Sequence, residues 1–141
     1  MSEKKYRSLL KKLLNEKEET YLTTKSDCDI WFDVLNCIIF NNSLPRITEI
    51  EISQRRGYDA YYIGYSIFAI DTNKELRKVS TLKMNIRYKS KLFFVNILGH
   101  EMVHHSLFMS NYKNFHAHGK KFMEWKQAFN DNGLILLKKE Y

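Results

Sequence analysis

Residues 92–108 read LFFVNILGHEMVHHSLF, and residues 118–122 read HGKKF. The first run is apolar nearly all round: Leu92, Phe93, Phe94, Val95, Ile97, Leu98, Met102, Val103, Leu107 and Phe108. It predicts a helix from about Leu92 to Phe108, capped by Ser90 and buried in the middle of a domain. Burying His100, Glu101, His104 and His105 in such a helix is costly unless their polar atoms find partners. Residues four apart share a helix face, so His100 and His104 can hold one metal ion together. Glu101 stands beside that pair, where a carboxylate can take a proton from water activated by the metal. All five histidines of the chain fall between His100 and His118, so the chemistry is expected there.

The rest of the composition sets the frame for that helix. A chain of 141 residues suits a single domain, 1–141, with a real core. With 44% hydrophobic and 28% charged residues it reads as globular rather than disordered. Nine Tyr and nine Phe make the expected core strongly aromatic. The net charge of +7 favours polyanionic partners, nucleic acid above all, so DNA is an expected partner through a basic surface. Cys28 and Cys37 form no CxxC pair and read as core residues rather than a disulfide framework. The N-terminal MSEKKYRSLLKKLL lacks the apolar run of a signal peptide. Val34–Phe40 and Leu92–Leu98 are too short to span a bilayer, so no membrane partner is expected. A reducing cytoplasm, with nucleoid association open, is the expected compartment. The Lys, Asn and Ile content fits an AT-rich genome of bacterial or phage type.

Along the chain, residues 1–20 read as a basic amphipathic helix, its apolar stripe made of Tyr6, Leu9, Leu10, Leu13 and Leu14. A second helix is expected from Asp27 to Phe40, with Ser26 as N-cap and Pro45 beyond its end. Strands are expected at Ile47–Ile52, Tyr61–Ile70 and Leu82–Ile86, with Gly64 as a bulge or close-approach site. Between Lys74 and Lys91 the charge is lopsided towards Lys and Arg, which suits a solvated loop or a basic surface equally. Tyr58, Tyr61, Tyr62 and Tyr65 read as strand packing rather than a platform for bases. The pair Lys138-Lys139 reads as solvated.

Catalytic zinc usually takes three protein ligands and leaves a position for water. His118 is the choice for the third, with His116 and then Glu124 as alternatives. Gly119 is expected to let the chain turn closely past the metal. From Lys120 a final helix should place Phe122, Trp125 and Phe129 on the face of His118, with Gly133 at its C-terminal cap. A zincin subclass with its third histidine six residues after the second would need histidine at 110, where Ser110 stands.

HEMVHH at 100–105, followed by FHAHGKKFMEWKQAF at 115–129, resembles the SprT-like family of minimal zincin metallopeptidases. FNNSLP, Gly57 and the strand MNIR upstream are similar too, so the resemblance covers roughly Trp31 to Gly133, within residues 27–133. It implies zinc held by His100, His104 and His118, with Glu101 as general base. It implies an α+β domain, helices packed on a small sheet of about three strands around a central active-site helix. A substrate chain would lie along an edge strand, and members of the SPRTN type act on proteins crosslinked to DNA. Many members continue into a Cys-rich zinc ribbon; this chain reaches Tyr141 without those cysteines, so DNA contacts are expected from the domain's own basic surface.

The function expected is thus a zinc-dependent endopeptidase with a protein substrate, DNA-bound or DNA-crosslinked proteins being the candidate class. For the oxyanion-stabilising side chain His105, Tyr112 and His116 all lie near in sequence, and nothing in the sequence selects one. The rival from another class is a non-catalytic zinc-binding structural or interaction protein that retains the site, phage-encoded for instance. A magnesium nuclease fits poorly, because such sites are rich in carboxylates.

Overall fold

A computed structural model describes residues 2–138 and shows an α+β arrangement. The first helix, α1, spans Glu3–Leu14; the Ser2 hydroxyl accepts from the Lys5 amide, and Lys11 and Lys12 complement the dipole of the last turn. It stops well short of Thr20. Asn15 caps it, and Glu16, Glu18 and Glu19 beyond would set negative charge against the helix's negative end. Strand β1, Tyr21–Leu22, follows. Helix α2, Lys25–Ile38, begins two residues ahead of expectation because Thr24, not Ser26, accepts from the Asp27 amide. Asn41 and Asn42 take positive φ and end the turn beyond it, while the Asn36 amide group holds Leu44 from both sides.

Three strands form the main sheet: β2, Glu49–Ser53; β3, Tyr61–Phe68; and β4, Glu75–Asn85. Their order is β2-β4-β3, with β4 parallel to β2 and antiparallel to β3. The central strand is far longer than the expected Leu82–Ile86 and absorbs Arg77, Lys78 and Lys83 from the basic stretch. Charged side chains at its start conceal the strand pattern, although Val79, Leu82 and Met84 are buried. Of the four tyrosines around β3 only Tyr62 is buried; Tyr58, Tyr61 and Tyr65 are exposed. A short strand β5, Arg87–Tyr88, pairs with β1. Two-residue strands leave no period to read.

Helix α3, Lys91–Met109, is the spine of the molecule. Ser90 caps it as expected, its hydroxyl accepting from the Phe93 amide. Phe94, Val95, Ile97, Leu98, Met102 and Val103 are fully buried against α2 and the sheet. Two glycines permit that contact. A Cβ on Gly64 of β3 would lie 2.8 Å from the Phe108 ring, and one on Gly99 would lie 2.6 Å from the Phe129 ring. The expected final helix is two: α4, Lys120–Met123, and α5, Lys126–Asp131, divided where Trp125 packs 4.6 Å from Phe40. Gly133 follows with φ +77°, the left-handed cap conformation. Cys28 and Cys37 are buried free thiols, and burial pushes Cys28 up to about 12. Lys138 is exposed; Lys139 lies outside the described residues. No helix among the described residues is long and apolar enough to cross a membrane.

Candidate metal centre

His100 and His104 stand one turn apart on α3 and are both buried. The loop after α3 turns back at Asn111, whose φ is +64°, and delivers His118 to the same face. The three Nε2 atoms form a nearly equilateral triangle: 3.3 Å between His100 and His104, and 3.1 Å from His118 to each. Nitrogens about 2.0–2.1 Å from a tetrahedral metal ion lie roughly 3.3–3.4 Å apart, so this triangle is one face of such a site.

Backbone carbonyls decide the protonation of the ring atoms. His100 Nδ1 lies 2.7 Å from the Leu137 carbonyl oxygen and His104 Nδ1 lies 2.6 Å from that of Phe115. A carbonyl only accepts, so each Nδ1 carries the ring proton and each Nε2 presents a bare lone pair. Two lone pairs facing each other at 3.3 Å repel unless a cation lies between them. Extra protons are a poor remedy: burial, and for His100 then the neighbouring His104, lower the pKa values to about 3 and about 4. Burial also lowers His118, which is more open. Three neutral imidazole donors facing one point are close enough to hold a metal ion.

The surroundings hold that arrangement. Phe122 is fully buried with its ring centroid 4.8 Å from His100 and His104 and 4.9 Å from His118, an apolar floor beneath all three. Asn96, one turn before His100, accepts from the Ile135 amide and so anchors the segment whose Leu137 carbonyl receives His100. Neither carbonyl has a signature in sequence. Asn96 has one: a polar residue four positions before His100 in an otherwise apolar helix. Glu101 is buried, and its Oε1 lies 4.0 Å from His100 Nε2, beside the triangle.

The other candidates separate cleanly. His105 lies beside His104 in sequence yet is spent elsewhere: its Nε2 donates to the Pro45 carbonyl at 2.7 Å, so Nδ1 accepts from the Tyr62 hydroxyl at 2.6 Å. That bridge ties β3 and the loop before β2 to α3, and takes His105 out of both ligation and oxyanion binding. Glu124 is exposed and pairs with Lys121. Tyr112 lines a cleft of about 550 Å³ with Ser106, Ser110 and Trp125, around the far end of α3. His116 is exposed near the triad, its ring 6.2 Å from His104 and stacked 6.1 Å from Tyr61 of β3. Gly119 differs from expectation: its φ is −83° and a Cβ there meets nothing within 4 Å. The chain does not need glycine at 119 to pass the triad.

No family model matches the chain, and no curated protein matches it.

Proposed function

We propose that the protein is a zinc-dependent endopeptidase of SprT-like type. The observation that carries this reading is the triangle of Nε2 atoms, those of His100 and His104 left bare by their Nδ1 hydrogen bonds, with the Glu101 carboxylate 4.0 Å from one corner. Three neutral imidazoles suit zinc and leave a coordination position for a reactant, whereas magnesium and calcium prefer oxygen donors. When bound, zinc lowers the pKa of water towards about 7 and polarises a carbonyl oxygen. His100, His104 and His118 would hold it, oriented by the Leu137 and Phe115 carbonyls and floored by Phe122.

Glu101 accepts the proton of the attacking water as its oxygen bonds to the peptide carbonyl carbon. It then delivers that proton to the departing amine nitrogen as the C–N bond breaks. His105 is committed and Tyr112 lies in another cleft, so His116 is the remaining candidate to meet the developing oxyanion. The charge of +7 supports substrates that are themselves held on a polyanion, DNA-bound proteins first among them.

Glu101→Gln removes the base while keeping shape and leaving the imidazoles untouched. The variant is expected to retain its zinc and to lose cleavage of histone substrates, presented with and without DNA, by at least a hundredfold, in line with general-base contributions of about 10²–10⁴. Equal activity of wild type and variant would overturn the reading in favour of a non-catalytic zinc protein.

A further inference from the structure

The basic residues of the chain are scattered, but at one end of the sheet two of them, Arg55 and Arg87, line a cleft. It has a volume of about 290 Å³ and is lined by Gln54, Arg55, Gly57, Asn85, Ile86 and Arg87. Arg56 lies beside it in the chain, and Arg56 and Arg87 are exposed with no ion pair among the described residues. Arg55 has capacity to spare: its Nη2 meets Asp59 at a long 3.4 Å, and its Nε is shielded from solvent with no acceptor among the described residues. Asp59 is the carboxylate that meets Arg55, and no ion pair among the described residues involves Arg56 or Arg87. A guanidinium carries five N–H donors, more than a single long contact to one carboxylate satisfies.

The cleft is built rather than incidental. Asn85, at the end of β4, donates through Nδ2 to the Arg55 carbonyl at 3.1 Å and to the Gly57 carbonyl at 2.6 Å. Its Oδ1 accepts from the Ile86 amide at 2.8 Å. One buried amide thereby pins the loop that carries Arg55 and Arg56 and shapes the strand exit that leads to Arg87. Aromatic surface adjoins: Tyr58 is 36% exposed and packs edge-on to Phe93 at 5.3 Å, and Lys89 Nζ lies 4.4 Å from the Phe93 ring. The loop then runs into Tyr61, which stacks on His116 near the metal triad. The β4 partner of Tyr61 is Lys83, two residues before Asn85, about 7 Å along the strand.

We infer that the Arg55–Arg56–Arg87 cleft is a phosphate-binding site for a nucleic-acid strand, which it leads past Tyr58 towards the metal centre. Arginine forks match phosphate oxygens in pairs, an exposed tyrosine ring offers a stacking face, and together they suit a single strand better than a free anion. The site gives a location to the polyanion part of the proposed function, and its test reads binding rather than cleavage, so the two fail separately.

The test uses full-length protein and fluorescein-labelled oligothymidylate, with anisotropy read across a salt series. Arg56→Glu/Arg87→Glu is compared with Lys11→Glu/Lys12→Glu, a charge-matched pair on α1. Thermal melting and zinc content check that both variants are folded, and Arg56→Gln/Arg87→Gln provides a milder version. The cleft variant is expected to lose at least tenfold in affinity, to flatten the salt dependence by roughly 1.4 in slope, and to lose far more than the α1 variant. Equal losses in both pairs would show binding by net charge alone and overturn the site, as would no binding by the wild type. Equally tight binding of inorganic polyphosphate would overturn the nucleic-acid assignment.

Discussion

The identity of the third ligand is a matter of a single residue. His116 and His118 stand two apart on the same loop, but only the latter brings Nε2 to 3.1 Å from both helix histidines. His118→Ala is expected to bind zinc at least tenfold more weakly, because two ligands replace three, while His116→Ala retains about one zinc per chain. Metal analysis of the two variants after gentle purification decides it; the reverse pattern would move the ligand to His116. His105 illustrates the same scale from the other side. Adjacent to a ligand, it is held by Tyr62 and Pro45 in the tautomer that makes it a structural bridge.

Helix α3 works as an element because its neighbours approach closely enough to bury it. Gly99 lies directly before His100, and its missing side chain is the space occupied by Phe129 of α5. Gly99→Ala places a Cβ 2.6 Å from that ring, and Phe129 is fully buried with little room to retreat. Overpacking of this kind costs about 1–3 kcal/mol, so the unfolding free energy from urea titration is expected to fall by that amount, with the midpoint at lower urea. Gly119→Ala serves as the contrast. Its φ is ordinary and a Cβ there enters open space, so stability is expected to stay within about 0.5 kcal/mol of wild type, or to rise slightly through the unfolded chain. A large loss at 119 would show that the loop is tighter than this geometry.

For the molecule as a whole, the metal centre joins segments far apart in sequence. α3, the loop at 115–118 and the segment at 134–137 meet there, through His100, His104, His118 and the carbonyls of Phe115 and Leu137. Removing the metal should therefore loosen the whole C-terminal third. The metal-free protein should also be acid-sensitive. His100 and His104 have folded pKa values of about 3 and about 4, below the ordinary value of about 6.5 in the unfolded chain. As pH falls below about 6.5 the unfolded chain takes up protons first, so stability that is present above that pH drains away down to about 4 for His104 and about 3 for His100. The slope is about 1.4 kcal/mol per pH unit for each buried histidine. Chelator-treated protein should show that decline in melts across this range. A flat profile would mean that the histidines are not buried and neutral as seen here.

Much of this was legible from residues 92–108 alone. An all-round apolar run can only be a buried helix, and histidines four apart must share a face, so α3, its Ser90 cap and the His100–Glu101–His104 grouping follow from local periodicity. The small sheet was legible in part, since the alternation at Ile47–Ile52 and Leu82–Ile86 reflects one-sided burial in β2 and β4, while the α+β class came with the family resemblance. Local pattern failed where distant partners decide. The full length of β4 depends on β3 beside it rather than on its own charged residues, and β1–β5 exists only because two short segments meet. Which histidine nitrogen bears a proton was settled by carbonyls at Phe115 and Leu137, backbone groups that every residue carries and that no sequence distinguishes. His118 was the expected third ligand on its motif, but that its Nε2 closes an equilateral triangle is a fact of tertiary structure, because only the folded chain brings residues 14 and 18 positions apart to 3.1 Å.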